Sequence, residues 1–331
     1  MSKNGAEKDI LVILTGGTIG SVVLDGVITA TPKAASRVVE MYRAQYGDEN
    51  RFEVMQPMTM LSENNTLETW QKLLEIMRDV KFSDYKGIIL THGTDTLSYT
   101  AALLGQALEG IISAPVCLVS SNLALGETDS NGLFNFRAAV QLIDSENVHP
   151  GVYVTYHNIN GVDEVFLGSE LLEADTALDQ FGVYGGENFG VVTEMGFTYN
   201  PSHEDHCPGI VSDLARINWI TSEPEFAGDV LLVRPYVGLH FDKINISDAK
   251  AVVVYAYHSG TYNTNGLDSF PAFARKCKQA GIQCYLAGVK TERPNVYASE
   301  EESKDFEVLY DCSPEAAYAN VLIKLSAKEE E

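Results

Sequence analysis

The sequence predicts an α/β protein of two domains, a larger N-terminal one on a parallel sheet and a smaller C-terminal α/β one. Three observations carry this. Short apolar, β-branched runs alternate with longer amphipathic stretches, the pattern of βαβ units. The runs are continuously apolar rather than alternating, as strands covered on both faces must be. A turn-rich break divides the 331 residues into two parts, each long enough for its own core.

In order, residues 10–14 read as the first buried strand, followed by a helix over 67–80. Strands at 87–90, 115–119 and 152–156 then alternate with helices at 98–109 and 136–144. Asn200-Pro201 and Pro208-Gly209 interrupt the pattern, placing a linker at 199–224 between domains at 1–198 and 225–331. Beyond it come strands at 230–233 and 251–255 and helices at 269–280 and 314–326. The last helix has the plainest start: Ser313 as N-cap, Pro314 in the first turn and Glu315 beside it.

Composition narrows the function. With 23 Lys+Arg against 46 Asp+Glu the formal net charge is −23, which excludes the positive surface that nucleic acid or an anionic membrane requires. No apolar stretch approaches the roughly 20 residues of a membrane span. The polar start at Met1 does not resemble a secretory signal, and the five scattered cysteines form no CxxC pair, so a cytoplasmic protein without a disulfide framework is expected.

Two loops hold the concentrated chemistry, each directly after an apolar strand, where open parallel sheets gather ligands. The first reads Thr15-Gly16-Gly17-Thr18-Ile19-Gly20, which lacks the spacing and lysine of a phosphate-binding P-loop. Its glycines permit close backbone approach, and Thr18 offers a hydroxyl; alone, it also reads as a plain tight turn. The second is Thr91-His92-Gly93-Thr94-Asp95-Thr96. Helix capping by Thr94 or Asp95 would use one of these groups and leave the others unexplained. Hydroxyl and carboxylate together at a helix start suit attack on an acyl carbon.

Together the loops resemble the signatures of the bacterial-type L-asparaginases and glutaminase-asparaginases. The likeness continues through residues 61–66, 174–181, 259–265 and 313–317, and so spans most of the chain. It implies Thr18 as nucleophile, with Thr94 and Asp95 activating an attacking hydroxyl or water. It implies Ser62 and Glu63 on the substrate's α-carboxylate and α-amino groups, and the Gly17 and Gly93 backbone at the substrate. No metal or organic cofactor is implied. It also implies a homotetramer, a dimer of intimate dimers, in which Asn263 or Asn265 reaches a neighbouring subunit's site.

Two positions depart from the family pattern. The usual lysine, nine residues before Phe181, is Leu172, and the usual loop tyrosine falls at Val27 or Ile28. Without that cation, Tyr153, Tyr156, His157 or Glu173 is the candidate substitute. The run His203-Glu204-Asp205-His206-Cys207 has metal-ligand chemistry but lies in the expected linker, where an exposed polar loop is the simpler reading. His258 and Ser259 are adjacent, and on a strand they would face opposite ways.

The sequence therefore points to hydrolysis of the side-chain amide of a small amino acid, L-asparagine first. Two alternatives stay open. One is a non-catalytic amino-acid-binding or sensing protein on the same fold; the other is a hydrolase of a different amide or a lactam.

Overall fold

The computed structural model describes residues 9–30, 36–47, 51–203, 225–226, 228–291, 297 and 305–326. The chain divides into two compact units, Met1–Ile210 and Val211–Glu331.

The first unit is built on an eight-stranded sheet. Its strands are β1 (Ile10–Ile13), β4 (Phe52–Met55), β5 (Gly87–Thr91), β6 (Val116–Val119), β7 (Val152–His157), β8 (Asp163–Leu167), β9 (Gly190–Thr193) and β10 (Gly196–Tyr199). They lie in the order β10-β9-β8-β7-β6-β5-β1-β4. From β4 to β7 every pairing is parallel, as the apolar runs predicted. The expected parallel sheet is nevertheless incomplete, because β8, β9 and β10 are antiparallel to their neighbours. The β7–β8 and β9–β10 connections are too short for the crossover a parallel partner needs.

Burial explains the central strands. Ile10, Val12 and Ile89 face a core that includes Val38, Val39, Tyr42 and Phe136, while Leu11, Ile13, Ile88 and Leu90 on the other face are equally buried. Residues from helices α1 (Arg37–Tyr46) and α4 (Gly132–Asp144) supply the first face. Two further helices, α2 (Leu67–Asp79) and α3 (Leu97–Ala107), bury Leu73, Leu74, Leu103 and Leu104.

The sequence reading missed α1 and a hairpin. In the hairpin, β2 (Ser21–Leu24) and β3 (Val27–Ala30) pair across Asp25-Gly26, both at positive φ (51° and 79°), the turn that an Asp-Gly dipeptide favours.

In the second unit β11 (Asp229–Val233), β12 (Ala249–Tyr255), β13 (Gln283–Val289) and β14 (Glu307–Tyr310) form an all-parallel sheet in sequence order. Helices α5 (Phe270–Gln279) and α6 (Pro314–Ser326) accompany it. Both start on a serine cap: Ser269 accepts from the Ala272 N–H at 3.3 Å, and Ser313 from that of Ala316 at 3.0 Å.

Most of the expected linker, residues 204–224, lies outside the described residues, as does all of the His/Cys run except His203. Cys117, Cys277, Cys284 and Cys312 are buried free thiols. No helix among the described residues is long and apolar enough to cross a membrane.

Candidate active site

The site is assembled from three loops of the first unit. β1 and β5 are adjacent and parallel, so the segments after them leave the same edge of the sheet. The Thr15 N–H donates to Thr91 Oγ1 at 3.0 Å, and the Thr15 hydroxyl donates to the Thr91 carbonyl, locking the two strand ends together. Between β4 and α2, Met60 donates its N–H to the Thr15 carbonyl at 2.7 Å and accepts from the Gly17 N–H at 3.2 Å. This brings residues 60–66 onto the first loop.

Glycine is required where the loops meet. Gly17 has φ 79°, and a β-carbon there would lie 2.4 Å from the Gly93 nitrogen and 2.5 Å from the His92 carbonyl carbon. A β-carbon on Gly93 would lie 2.3 Å from Ser62 Oγ. The plain tight-turn reading of the first loop therefore fails: its glycine admits another loop's backbone, not merely a bend. Thr18 opens a single 3₁₀ turn, half-buried, immediately beyond this contact.

The second loop is not spent on helix capping. Thr96 occupies the N-cap of α3 without a side-chain capping bond. Its hydroxyl instead donates to the Ser62 carbonyl at 2.9 Å and accepts from Asn65 Nδ2 at 2.8 Å. Asp95, an exposed residue, accepts the Ser62 hydroxyl at 2.9 Å. His92 is fully enclosed, with Nδ1 2.7 Å from the Gly93 carbonyl and Nε2 3.4 Å from Asn65 Nδ2. Burial pushes its pKa down to about 4 against opposing pulls from the Gly93 carbonyl and Asp95, so it is neutral at pH 7. The His92–Asn65 network holds the loop and was not visible in the motif alone.

Beside these loops lies a cavity of about 320 Å³, lined by Thr94, Asp95, Asn122, Tyr156 and the segment Glu173, Ala174, Asp175, Thr176 and Asp179. Thr94 and Asp95 both line it. Thr18, Ser62 and Glu63 are not in its wall, although Ser62 reaches it through Asp95. Glu63 is exposed.

The four candidates for the missing cation separate cleanly. Tyr153 gives its hydroxyl to the His149 carbonyl at 2.8 Å. His157 pairs with Asp163 at 2.6 Å and stacks on Phe134. Tyr156 and Glu173 face the cavity, and neither is a cation. Tyr153 and Tyr156, three apart on β7, must point to opposite faces of the sheet. Leu172 is absent from the wall, and Val27 follows the hairpin turn, 62% exposed.

In the second unit, Asn263 is committed to its own loop. Its Nδ2 donates to the Asp268 carbonyl at 3.0 Å, and its Oδ1 accepts from the Asn265 N–H at 2.9 Å. Asn265 is exposed. His258 and Ser259 lie beyond β12, so strand alternation does not separate them, and Ser259 Oγ comes 3.4 Å from the His258 Nε2.

Residues 9–199 match the sequence profile described as asparaginase, N-terminal. The chain belongs to the asparaginase family. Membership places it among the amidohydrolases. This asparaginase-family chain is 26% identical over 268 residues to L-asparaginase 1 of Escherichia coli, covering 78% of this chain and 73% of that one. It is 30% identical over 140 residues to a glutamyl-tRNA(Gln) amidotransferase component of Saccharolobus islandicus, covering 42% of this chain but only 31% of that protein's length. Its fold is shared with L-asparaginase I of Vibrio cholerae (TM-score 0.72, 19% identity, 97% of this chain and 93% of that one). The thermostable L-asparaginase of Thermococcus kodakarensis is equally similar (TM-score 0.71, 19% identity, 97% and 94%).

Proposed function

We propose that this asparaginase-family protein hydrolyses the side-chain amide of a small amino acid, L-asparagine to L-aspartate and ammonia in the first instance. The observation that carries the reading is the backbone contact at Gly17 and Gly93, which sets Thr18 and Thr94 on apposed loops at one sheet edge.

In this scheme the Thr18 hydroxyl attacks the amide carbon and the carbonyl oxygen becomes an oxyanion, met by N–H groups of the two glycine loops. The C–N bond then breaks, the nitrogen takes the hydroxyl proton, and ammonia leaves behind a threonine ester. Thr94 and Asp95 direct water at that ester; its proton passes to Asp95 and then to the returning Thr18 oxygen. Ser62 fixes Asp95 for this work by its hydrogen bond. His92, neutral and enclosed, supports the loop and takes no part in proton transfer. A homotetramer of intimate dimers, with Asn263 or Asn265 reaching a neighbouring site, belongs to the same proposal.

A second reading, a non-catalytic amino-acid-binding protein, is favoured by one observation: among the described residues, no basic side chain lines the cavity. Ammonia release from L-Asn, D-Asn and L-Gln separates the two. The hydrolase should turn over L-Asn, with Thr18→Ala slower by about a thousandfold or more. Turnover that survives Thr18→Ala would remove the nucleophile. Tight aspartate binding with no ammonia from any amide would establish the binding protein.

A further inference from the structure

Two cysteines of the second unit form a pair that the amide chemistry does not use. Cys277, in the last turn of α5, and Cys284, in β13, belong to the same apolar core and are 0% and 5% exposed. Their thiols are hydrogen-bonded to each other.

The turn between the two elements creates this pair. The Ile282 N–H donates to the Cys277 carbonyl at 2.9 Å and the Gly281 N–H to the Lys278 carbonyl at 3.1 Å, with Gly281 at φ 74°. These are the two bonds of a Schellman cap, which ends the helix and turns the chain back. The returning strand brings Cys284 against Cys277, and the β12–β13 register holds it there, opposite Val252. Lys276, Lys278 and the turn from Gln279 to Gly281 are exposed, so the pair lies beneath an exposed helix end.

The two thiols are not equivalent. The Cys284 S–H donates to the Cys277 sulfur, which lowers the Cys277 pKa and raises that of Cys284. Burial opposes the first shift and adds to the second, while the neighbouring Lys276 ammonium favours a Cys277 thiolate. The other described thiols stand differently. Cys312 donates to the Leu309 carbonyl at 3.6 Å and burial pushes its pKa up to about 12; burial also pushes up Cys117, in the first unit.

We propose that Cys277 and Cys284 are an oxidative modification site, a dithiol that a hydroperoxide closes to an intramolecular disulfide. With hydrogen peroxide, the Cys277 thiolate attacks one oxygen and the O–O bond breaks. Cys277 becomes a sulfenic acid, and the departing hydroxide takes up the proton that Cys277 lost. The Cys284 sulfur then attacks the Cys277 sulfur, and the S–OH hydroxyl leaves as water with the Cys284 proton. Two thiols and one peroxide give one disulfide and two waters. The new bond ties the end of α5 to β13, and a dithiol reductant reverses it.

The test treats the full chain with hydrogen peroxide, without substrate, and follows thiol count, intact mass and peptide map. Two of the five cysteines should lose their thiols. The mass should fall by about 2 Da, a peptide linking residues 277 and 284 should appear, and dithiothreitol should restore both thiols. Cys284→Ala should leave Cys277 as a sulfenic acid trapped by dimedone, or carry it on to a sulfinic acid about 32 Da heavier. Cys277→Ala should slow thiol loss by at least about tenfold, because Cys284 keeps its proton. The wild-type peptide map decides the matter even where a variant is unstable. All thiols surviving at a peroxide concentration that oxidises the urea-unfolded chain overturns the proposal. So does a disulfide that includes Cys117, Cys207 or Cys312, or oxidation of Cys284 at the wild-type rate in Cys277→Ala.

Discussion

Ser62 and Asp95, far apart in sequence and on different loops, are joined by a hydrogen bond of 2.9 Å from the serine hydroxyl to the aspartate Oδ2. It links residues 60–66 to the cavity wall through side chains, and it fixes the carboxylate of an exposed residue. Hydrogen bonds to charged groups contribute about 1.5–3 kcal/mol when the partner cannot re-pair freely. Exposure lets water replace part of this, so Ser62→Ala should lower kcat/KM for L-Asn by about tenfold. The far-ultraviolet circular dichroism should be unchanged. An unaltered kcat/KM would take Ser62 out of the site.

The apposed loops predict a different behaviour at Gly17. Gly17 and Gly26 both have φ 79°, but a β-carbon on Gly26 meets nothing within 4 Å, whereas one on Gly17 meets the backbone of His92 and Gly93. Gly17, with ψ 179°, also occupies a backbone region essentially confined to glycine, so Gly17→Ala adds the collision to that strain. Chemical denaturation should show Gly17→Ala less stable than Gly26→Ala by about 1–3 kcal/mol, the usual cost of overpacking. Activity should be lost only in the former. Equal stabilities would mean that the loops can part without cost.

These particulars show where sequence reading reaches and where it stops. The strands at Ile10–Ile13 and Gly87–Thr91 were legible because burial on both faces leaves a continuous apolar run. The loops after them were legible because so many polar groups rarely follow such strands without a use. The antiparallel edge was missed, because β8 opens with Asp163 and Glu164 and reads as polar in isolation. Which residue faces the cavity was also beyond a one-dimensional reading. Leu172 takes the family position, but its N–H donates to the Gly182 carbonyl at 3.0 Å, and Glu173 enters the wall. That outcome depends on the path of a loop that no local pattern specifies.

His92 predicts a pH signature. The folded state holds its pKa at about 4, chiefly through burial, while an unfolded histidine titrates near 6.5. Between those values the unfolded chain binds the extra proton. The stability due to neutral His92 is therefore complete above the unfolded pKa, declines as the pH falls, and is gone below about 4. The full contribution is about 3 kcal/mol. Unfolding free energies of wild type and His92→Gln, measured from neutral pH down to about pH 4, should converge by about that amount. A constant difference across the range would mean that folding leaves the His92 pKa at its unfolded value.

The charge of the cavity can be reversed at a position the structure selects. Glu173, not Leu172, shares the wall with Thr94 and Asp95. A lysine at 173 would put a cation in the same wall as Thr94 and Asp95 and lower the cost of deprotonating a nearby hydroxyl. One pKa unit of such assistance corresponds to about tenfold in rate. Glu173→Lys should thus raise ammonia release from L-Asn by about tenfold. Leu172→Lys, outside the wall, should leave the L-Asn rate within about twofold. A larger gain from Leu172→Lys than from Glu173→Lys would show that residue 172 forms the wall in solution, and the assignment of Glu173 to the cavity would fall with it.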